Sequence, residues 1–190
     1  MEKQRCKWCT SDELYQNYHD KEWGVPLYDS DKLFEFIVLE GVQAGLSWIT
    51  VLRKRENYRQ AFDNFDAKKI ARYTPKRIEK LLQNPGIIRN RLKVESAVKN
   101  AKAYLAMQDE GIDLSEFLWE IAGGEPVINH WKKDERIPAQ TPTSERMAKA
   151  LKKKGFSFVG PTTIYAFMQA SGMVNDHLVT CFRHKECQRS

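Results

Sequence analysis

The sequence predicts an all-α protein folded as one domain, and three observations carry that prediction. No stretch of useful length alternates apolar and polar residues as a half-buried strand would. Helix start and stop signals (Ser, Thr or Asp caps, Pro at the first helical position, closing Gly) punctuate the chain throughout. The chain has 190 residues, 42% of them hydrophobic, enough for one sizeable core and compatible with two closely packed helical lobes around a cleft.

Taken in order, residues 6–29 are dense in large rings: Trp8, Tyr15, Tyr18, His19, Trp23 and Tyr28. A helix over 12–22 places Tyr15, Tyr18, His19 and Glu22 on one face. Asp29-Ser30-Asp31 caps the next helix, Gly41 to Gly45 breaks or bends it, and Ser47 restarts a helix through Phe62. Two short helices follow over 65–72 and 74–82, the second with Thr74 as cap and Pro75 behind it. Asn84-Pro85-Gly86 forms a turn before a long amphipathic helix over 90–108. A short helix over 115–122 is closed by Gly123-Gly124. Residues 125–143 hold three prolines and read as an irregular connection. Ser144 caps a helix over 145–154, and a glycine-bounded turn, Gly155 to Gly160, leads into a helix over 161–171. No internal repeat or low-complexity tract interrupts this pattern.

Composition narrows the function classes. A net charge of +6 favours an anionic partner such as nucleic acid. The longest apolar stretch contains Glu40, Gln43 and two glycines, and the first residues lack an apolar leader, so neither a membrane span nor a signal peptide is expected and a cytoplasmic location follows. Four cysteines in such a chain point to thiols or metal rather than disulfides. Cys6, Cys9 and His19 lie near one terminus and His177, Cys181, His184 and Cys187 near the other, with only His130 between. His177 and Cys181 fall four apart, on one face if that segment is helical. Two donors from each end would make a closed tetrahedral zinc site stapling the termini. Spacing alone leaves Cys9, His184 and Cys187 as competing ligands. A redox reading of Cys6-x2-Cys9 lacks the βαβ pattern it needs, and an iron-sulfur cluster would want four cysteines rather than this histidine-rich set.

The stretch Phe34 to Leu52 organises the chain. Glu40 is its only charge between Glu35 and Arg53. A buried carboxylate needs an answering group, which makes Glu40 the first candidate for chemistry; the alternative is a solvated helix end. The Gly155–Gly160 turn, with Lys152, Lys153 and Lys154 beside it, suits phosphate binding through backbone amides and a helix N-terminus, or else is a solvated basic helix end.

These residues resemble one family. Tyr18-His19-Asp20, Glu22-Trp23-Gly24-Val25-Pro26, Leu39-Glu40-Gly41, Gln43-Ala44-Gly45-Leu46-Ser47-Trp48-Ile49-Thr50-Val51-Leu52, Lys54-Arg55-Glu56-Asn57-Tyr58, Gly86-Ile87-Ile88-Arg89, Phe158-Val159-Gly160 and Val174-Asn175-Asp176-His177 are similar to the DNA-3-methyladenine glycosylase I family of the helix-hairpin-helix glycosylase superfamily. The matches span nearly the whole chain.

The resemblance implies a single-domain helix-hairpin-helix fold and a monofunctional hydrolase that releases 3-methyladenine from alkylated double-stranded DNA in a bacterial cytoplasm, acting as a monomer. It implies one structural zinc held by Cys6, His19, His177 and Cys181. It further implies that Glu40 reads the flipped base, that Tyr18 and Trp48 hold it, and that Trp8, Tyr15 and Trp23 complete an aromatic wall. Leu46 resembles the family's wedge into the duplex, and Gly155, Phe158, Gly160 and Lys153 would meet the DNA backbone. Asp176 lies where the wider superfamily carries a catalytic aspartate and reads first as structural. No lysine marks a lyase step, and the group activating the water is unassigned.

Overall fold

The structure, a computed structural model, describes residues 3–189. Ten α-helices in that span account for nearly all of the regular structure: α1 (Glu13–Lys21), α2 (Ser30–Gln43), α3 (Trp48–Ala61), α4 (Ala67–Ile70), α5 (Pro75–Leu82), α6 (Arg91–Asp109), α7 (Leu114–Ala122), α8 (Pro142–Lys153), α9 (Pro161–Ala170) and α10 (Phe182–Glu186). The all-α reading holds. Most boundaries follow from local chemistry: the carboxylates of Asp12, Asp29, Asp66 and Asp113, the amide of Asn90 and the hydroxyl of Thr74 each accept from amides of the first turn they cap.

Helix α2 is the centre of the fold. Leu33, Phe34, Ile37 and Leu39 are buried almost completely, and the helix packs against α3, α6, α7 and α9. Burying four such side chains is worth about 1.5–3 kcal/mol each relative to exposure. That is why a helix carrying a carboxylate can still sit in the interior.

Four local expectations are corrected. Gly41 lies inside α2, which continues to Gln43; the bend begins at Ala44, with Gly45 at φ +78°. A Cβ at Gly41 would sit 3.2 Å from Phe158 Cβ, so this glycine serves close packing rather than the turn. Helix α8 starts earlier than expected: Thr141 caps it, Pro142 and Thr143 open it, and Ser144 completes a reciprocal capping box. The connection 125–143 contributes β1 (Val127–Ile128), paired in parallel with β2 (Val174–Asn175). Two residues per strand are too few for a period-two signal. Finally, His177 and Cys181 do not share a helix, because β2 ends at Asn175 and α10 begins only at Phe182.

Candidate functional site

Four elements carry most of the rings and the acid around a cavity of about 460 Å³. Trp8 comes from a short 3-10 turn (Lys7–Cys9), Tyr15 and Tyr18 from α1, Glu40 and Gln43 from α2, and Trp48 from the first residue of α3. All six residues expected at a base pocket, Trp8, Tyr15, Tyr18, Trp23, Glu40 and Trp48, line this one cavity. Trp8 is the hub of the rings, with centroids 4.9 Å from Tyr15, 6.3 Å from Tyr18 and 5.0 Å from Trp23, while Tyr18 lies 5.4 Å from Trp48. Bidentate pairing of Arg55 with Glu22, at 2.6 and 2.7 Å, fixes α3 against the end of α1 behind Tyr18.

The solvated alternative for Glu40 is excluded by its exposure of 4%. Its Oε2 is buried without a hydrogen-bond partner, as is the indole N–H of Trp48. Burial alone pushes the Glu40 carboxyl up to about 8. Burial first, and the nearby Glu40 charge second, also raise the Tyr18 phenol, which stays a neutral ring. The cavity therefore offers electron-rich ring faces, an unpaired acid and an unpaired donor. That combination suits a flat, ring-shaped ligand carrying positive charge and a hydrogen-bonding edge.

Sequence reasoning missed the other walls. Lys7, Asp134, Ile137, Ala166 and Gln169 also line the cavity. Lys7 and Asp134 come from two three-residue 3-10 turns more than a hundred positions apart, so no local pattern could have paired them. Gln169 carried no signal of its own, since it shares its face of α9 with the exposed Thr162.

The terminal cysteines and histidines form a second centre. Cys6, His19, His177 and Cys181 are all buried, and their ligand atoms lie within 4.8 Å of one another. Cys181 Sγ is 3.4 Å from His19 Nε2 and 3.6 Å from His177 Nδ1, and Cys6 Sγ is 3.7 Å from His177 Nδ1. A tetrahedron with zinc–ligand bonds of about 2.0–2.3 Å has edges of about 3.3–3.8 Å, which these three separations match, so the set could hold a metal ion of that size. The outward nitrogens are also held: His19 Nδ1 meets Asp20 Oδ1 at 2.7 Å, and His177 Nε2 meets the Trp23 carbonyl at 2.9 Å. Such partners orient a ligating imidazole and select its tautomer. Arg5 in turn grips Asp20 at 2.9 and 2.8 Å. The Cys181 thiol is drawn well below its usual range, first by its hydrogen bond with Cys6 and then by His177 and His19.

Two of the competing ligands are engaged elsewhere. Cys9 donates to the Cys6 carbonyl, and His184 Nε2 meets the Asn129 carbonyl at 2.7 Å. Cys187 is buried outside the set. Asp176 is 1% exposed and accepts from Asn129, Trp131, Tyr165 and Gln169, so both of its oxygens are occupied. It ties the 129–131 loop to α9 and is not the partner of the His177 ring.

Between α8 and α9, Gly155 adopts φ +96° and Phe158 φ +54°. Gly155, Phe158 and Gly160 are half-buried, and Lys152 and Lys153 are exposed. Lys154 is paired with Glu110 rather than standing free beside the turn. Leu46 is partly exposed in the bend after α2.

Comparison with known proteins agrees with these features. A family model described as methyladenine glycosylase matches residues 8–184. The chain is 54% identical over 177 residues to a DNA-3-methyladenine glycosylase of Haemophilus influenzae, covering 93% of this chain and 96% of the relative. Among solved structures, a 3-methyladenine DNA glycosylase I superposes with a TM-score of 0.93 at 55% identity, covering 94% of this chain and 98% of that one. A tyrosine-to-phenylalanine variant of a 3-methyladenine DNA glycosylase I, solved in complex with 3-methyladenine, superposes with a TM-score of 0.89 at 38% identity, covering 94% of this chain and 96% of that one. With its ring-lined cavity, its buried acid and a match of that length, the chain belongs to the methyladenine glycosylase family.

Proposed function

We propose that this protein is a DNA glycosylase that excises 3-methyladenine from alkylated DNA and so opens base-excision repair. The observation that carries this reading is the unpaired, buried carboxylate of Glu40 in a cavity walled by Trp8, Tyr15, Tyr18, Trp23 and Trp48, in a chain 54% identical to a curated enzyme of that name. The cavity volume of about 460 Å³ accommodates a purine.

Adenine methylated at N3 is cationic while attached to deoxyribose. A flipped cation is drawn to the ring faces and to Glu40, whereas neutral adenine gains neither attraction. With an ordinary value raised to about 8, Glu40 is mostly protonated in the empty cavity at pH 7 and ionises as the cation enters. The same positive charge weakens the glycosidic bond, so departure of the base leaves Glu40 stabilising charge rather than performing strong acid catalysis. Water completes the hydrolysis and leaves an abasic site.

The remaining assignments belong to the same proposal. Tyr18 and Trp48 hold the base, and Trp8, Tyr15 and Trp23 close the wall. Leu46 fills the gap left in the duplex. The α8–α9 unit acts as a helix-hairpin-helix, with Gly155, Phe158, Gly160 and Lys153 at the phosphates. Cys6, His19, His177 and Cys181 hold one structural zinc, which supplies fold stability rather than chemistry. The protein works as a monomer on double-stranded DNA in the bacterial cytoplasm. Among the described residues no helix is long and apolar enough to cross a membrane. Incubating zinc-replete protein with methylated duplex and analysing the released bases tests the reading, and no release of 3-methyladenine by folded protein would sink it.

A further inference from the structure

The two loops that the proposed function sets against DNA, the bend 43–47 and the turn 154–160, are both held by one face of α6. Lys93 Nζ donates to the carbonyls of Val42 at 2.7 Å and Ala44 at 2.6 Å. These are among the carbonyls a helix C-terminus leaves without intrahelical partners, and an ammonium there also matches the negative end of the α2 dipole. One turn further along α6, Ser96 Oγ lies 2.9 Å from Ser157 Oγ. Asn100 then clasps the Ser157 backbone from both sides, donating from Nδ2 to its carbonyl at 3.1 Å and accepting its N–H on Oδ1 at 2.8 Å.

Lys93, Ser96 and Asn100 fall at i, i+3 and i+7, a single helical stripe. Ser96 and Asn100 are 7% and 2% exposed. Removing one partner of a buried pair leaves the other unsatisfied, so these contacts resist small displacements. Phe158, in the held turn, also rests directly on Gly41 of α2, one and three residues before the carbonyls that Lys93 holds.

We infer that Lys93, Ser96 and Asn100 form a rigid spacer that sets the separation between the base-flipping bend and the phosphate-facing turn, and that Lys93 and Asn100 are thereby positioning residues for excision from DNA. The inference rests on the proposed function, since the separation matters only when one duplex engages both loops. Free 3-methyladenine needs only the cavity, which none of Lys93, Ser96 and Asn100 lines: its acid sits in the last turn of α2, Tyr15 and Tyr18 on α1, and Trp48 at the start of α3. The spacer therefore predicts a loss confined to DNA substrates.

The test compares wild type with Lys93→Met, Lys93→Arg, Asn100→Ala and the Lys93→Met/Asn100→Ala double variant. Three quantities are measured: kcat/KM on methylated duplex, Kd for a duplex carrying a stable abasic-site analogue, and Kd for free 3-methyladenine by tryptophan fluorescence. Lys93→Met and Asn100→Ala are expected to lose on the order of 10- to 100-fold in kcat/KM, the cost of an ångström-scale misplacement, with a parallel loss for the abasic duplex. Free-base affinity stays within about twofold of wild type, Lys93→Arg recovers part of the loss, and the double variant falls short of the product of the single effects because one device is being broken twice. Unchanged values on both DNA arms would overturn the inference, as would free-base affinity falling in step with them, which indicates general loosening. If the wild type releases no 3-methyladenine, the proposed function fails by itself, and the abasic-duplex arm still decides the spacer.

Discussion

The substitution Glu40→Gln separates stability from recognition, and the structure fixes the sign of each effect. The Glu40 carboxyl is raised from 4.5 to about 8 by burial alone. Its contribution to folding is therefore fully present below the unfolded value and is lost as pH rises toward the folded one. Between 4.5 and pH 7 the unfolded chain releases a proton that the folded chain keeps, a difference of about 2.5 pKa units and so about 3 kcal/mol against the wild-type fold. Glutamine has nearly the same shape and never bears that cost. Glu40→Gln is thus expected to be more stable than wild type at pH 7, by roughly 6–12 °C in Tm for a chain of this length. The advantage shrinks to about 1 kcal/mol at pH 5 and widens further toward pH 8. Recognition moves the other way: the free base is no longer a cation, and losing an ordinary hydrogen bond of about 0.5–1.5 kcal/mol weakens its binding roughly 2- to 10-fold. Thermal melts of both proteins at pH 5, 7 and 8, with metal content matched, read the first effect, and fluorescence titration with the base reads the second. Protonation of the Cys/His cluster is common to both proteins and cancels in the difference. A Tm difference that stays flat across this pH range, or a variant less stable than wild type, would refute the claim that Glu40 is held neutral by burial.

Two other substitutions test separate parts of the construction. Cys181→Ser is expected to lower metal content and Tm together, because the metal-binding free energy of a structural site is part of the folding free energy; retention of one zinc per chain would move the ligand to Cys187 or His184. Gly172 sits at φ +71°, and a Cβ there would fall 2.3 Å from the Val25 carbonyl carbon and the Pro26 nitrogen. Gly172→Ala should therefore cost more than about 3 kcal/mol, measured by urea unfolding, since backbone on both sides of the clash must move; a loss below about 1 kcal/mol would mean that the 25–27 segment yields freely.

Much of the fold was legible because its helix boundaries are written in single residues. Asp29 and Thr74 each announce a helix in the sequence and each accept the expected amide. Where two signals compete, reading fails. Ser144 looks like a cap, but Thr141 takes that position and leaves Ser144 to bond back to it. The tight turn at 62–66 was invisible, because Asp63, Asn64 and Phe65 adopt positive φ without a glycine to mark it. The cavity was legible on the side where residues lie close in sequence, from Trp8 to Trp48. Asp134 and Gln169 reach it only through the packing of the 125–143 connection and α9, which no local period encodes.

The cavity and the Cys/His cluster are one construction. His19 follows Tyr18 on α1, so the turn that aims a tyrosine at the cavity aims a histidine at the cluster. His19 also packs its ring 5.3 Å from Trp8, and His177 packs 4.7 Å from Trp23 while bonding to the Trp23 carbonyl. The cluster thus stands behind the aromatic wall and holds in place the two tryptophans that lack a helix of their own. Trp8 sits in a three-residue turn and Trp23 in the loop after α1, where neither would keep a fixed ring plane from local structure alone. A metal ion shared by Cys6, His19, His177 and Cys181 would supply that rigidity at the back of the wall and leave its front face free for a ligand. A cation held between ring faces needs those planes set before it arrives, which gives a Cys/His cluster outside the cavity a direct bearing on which base is removed.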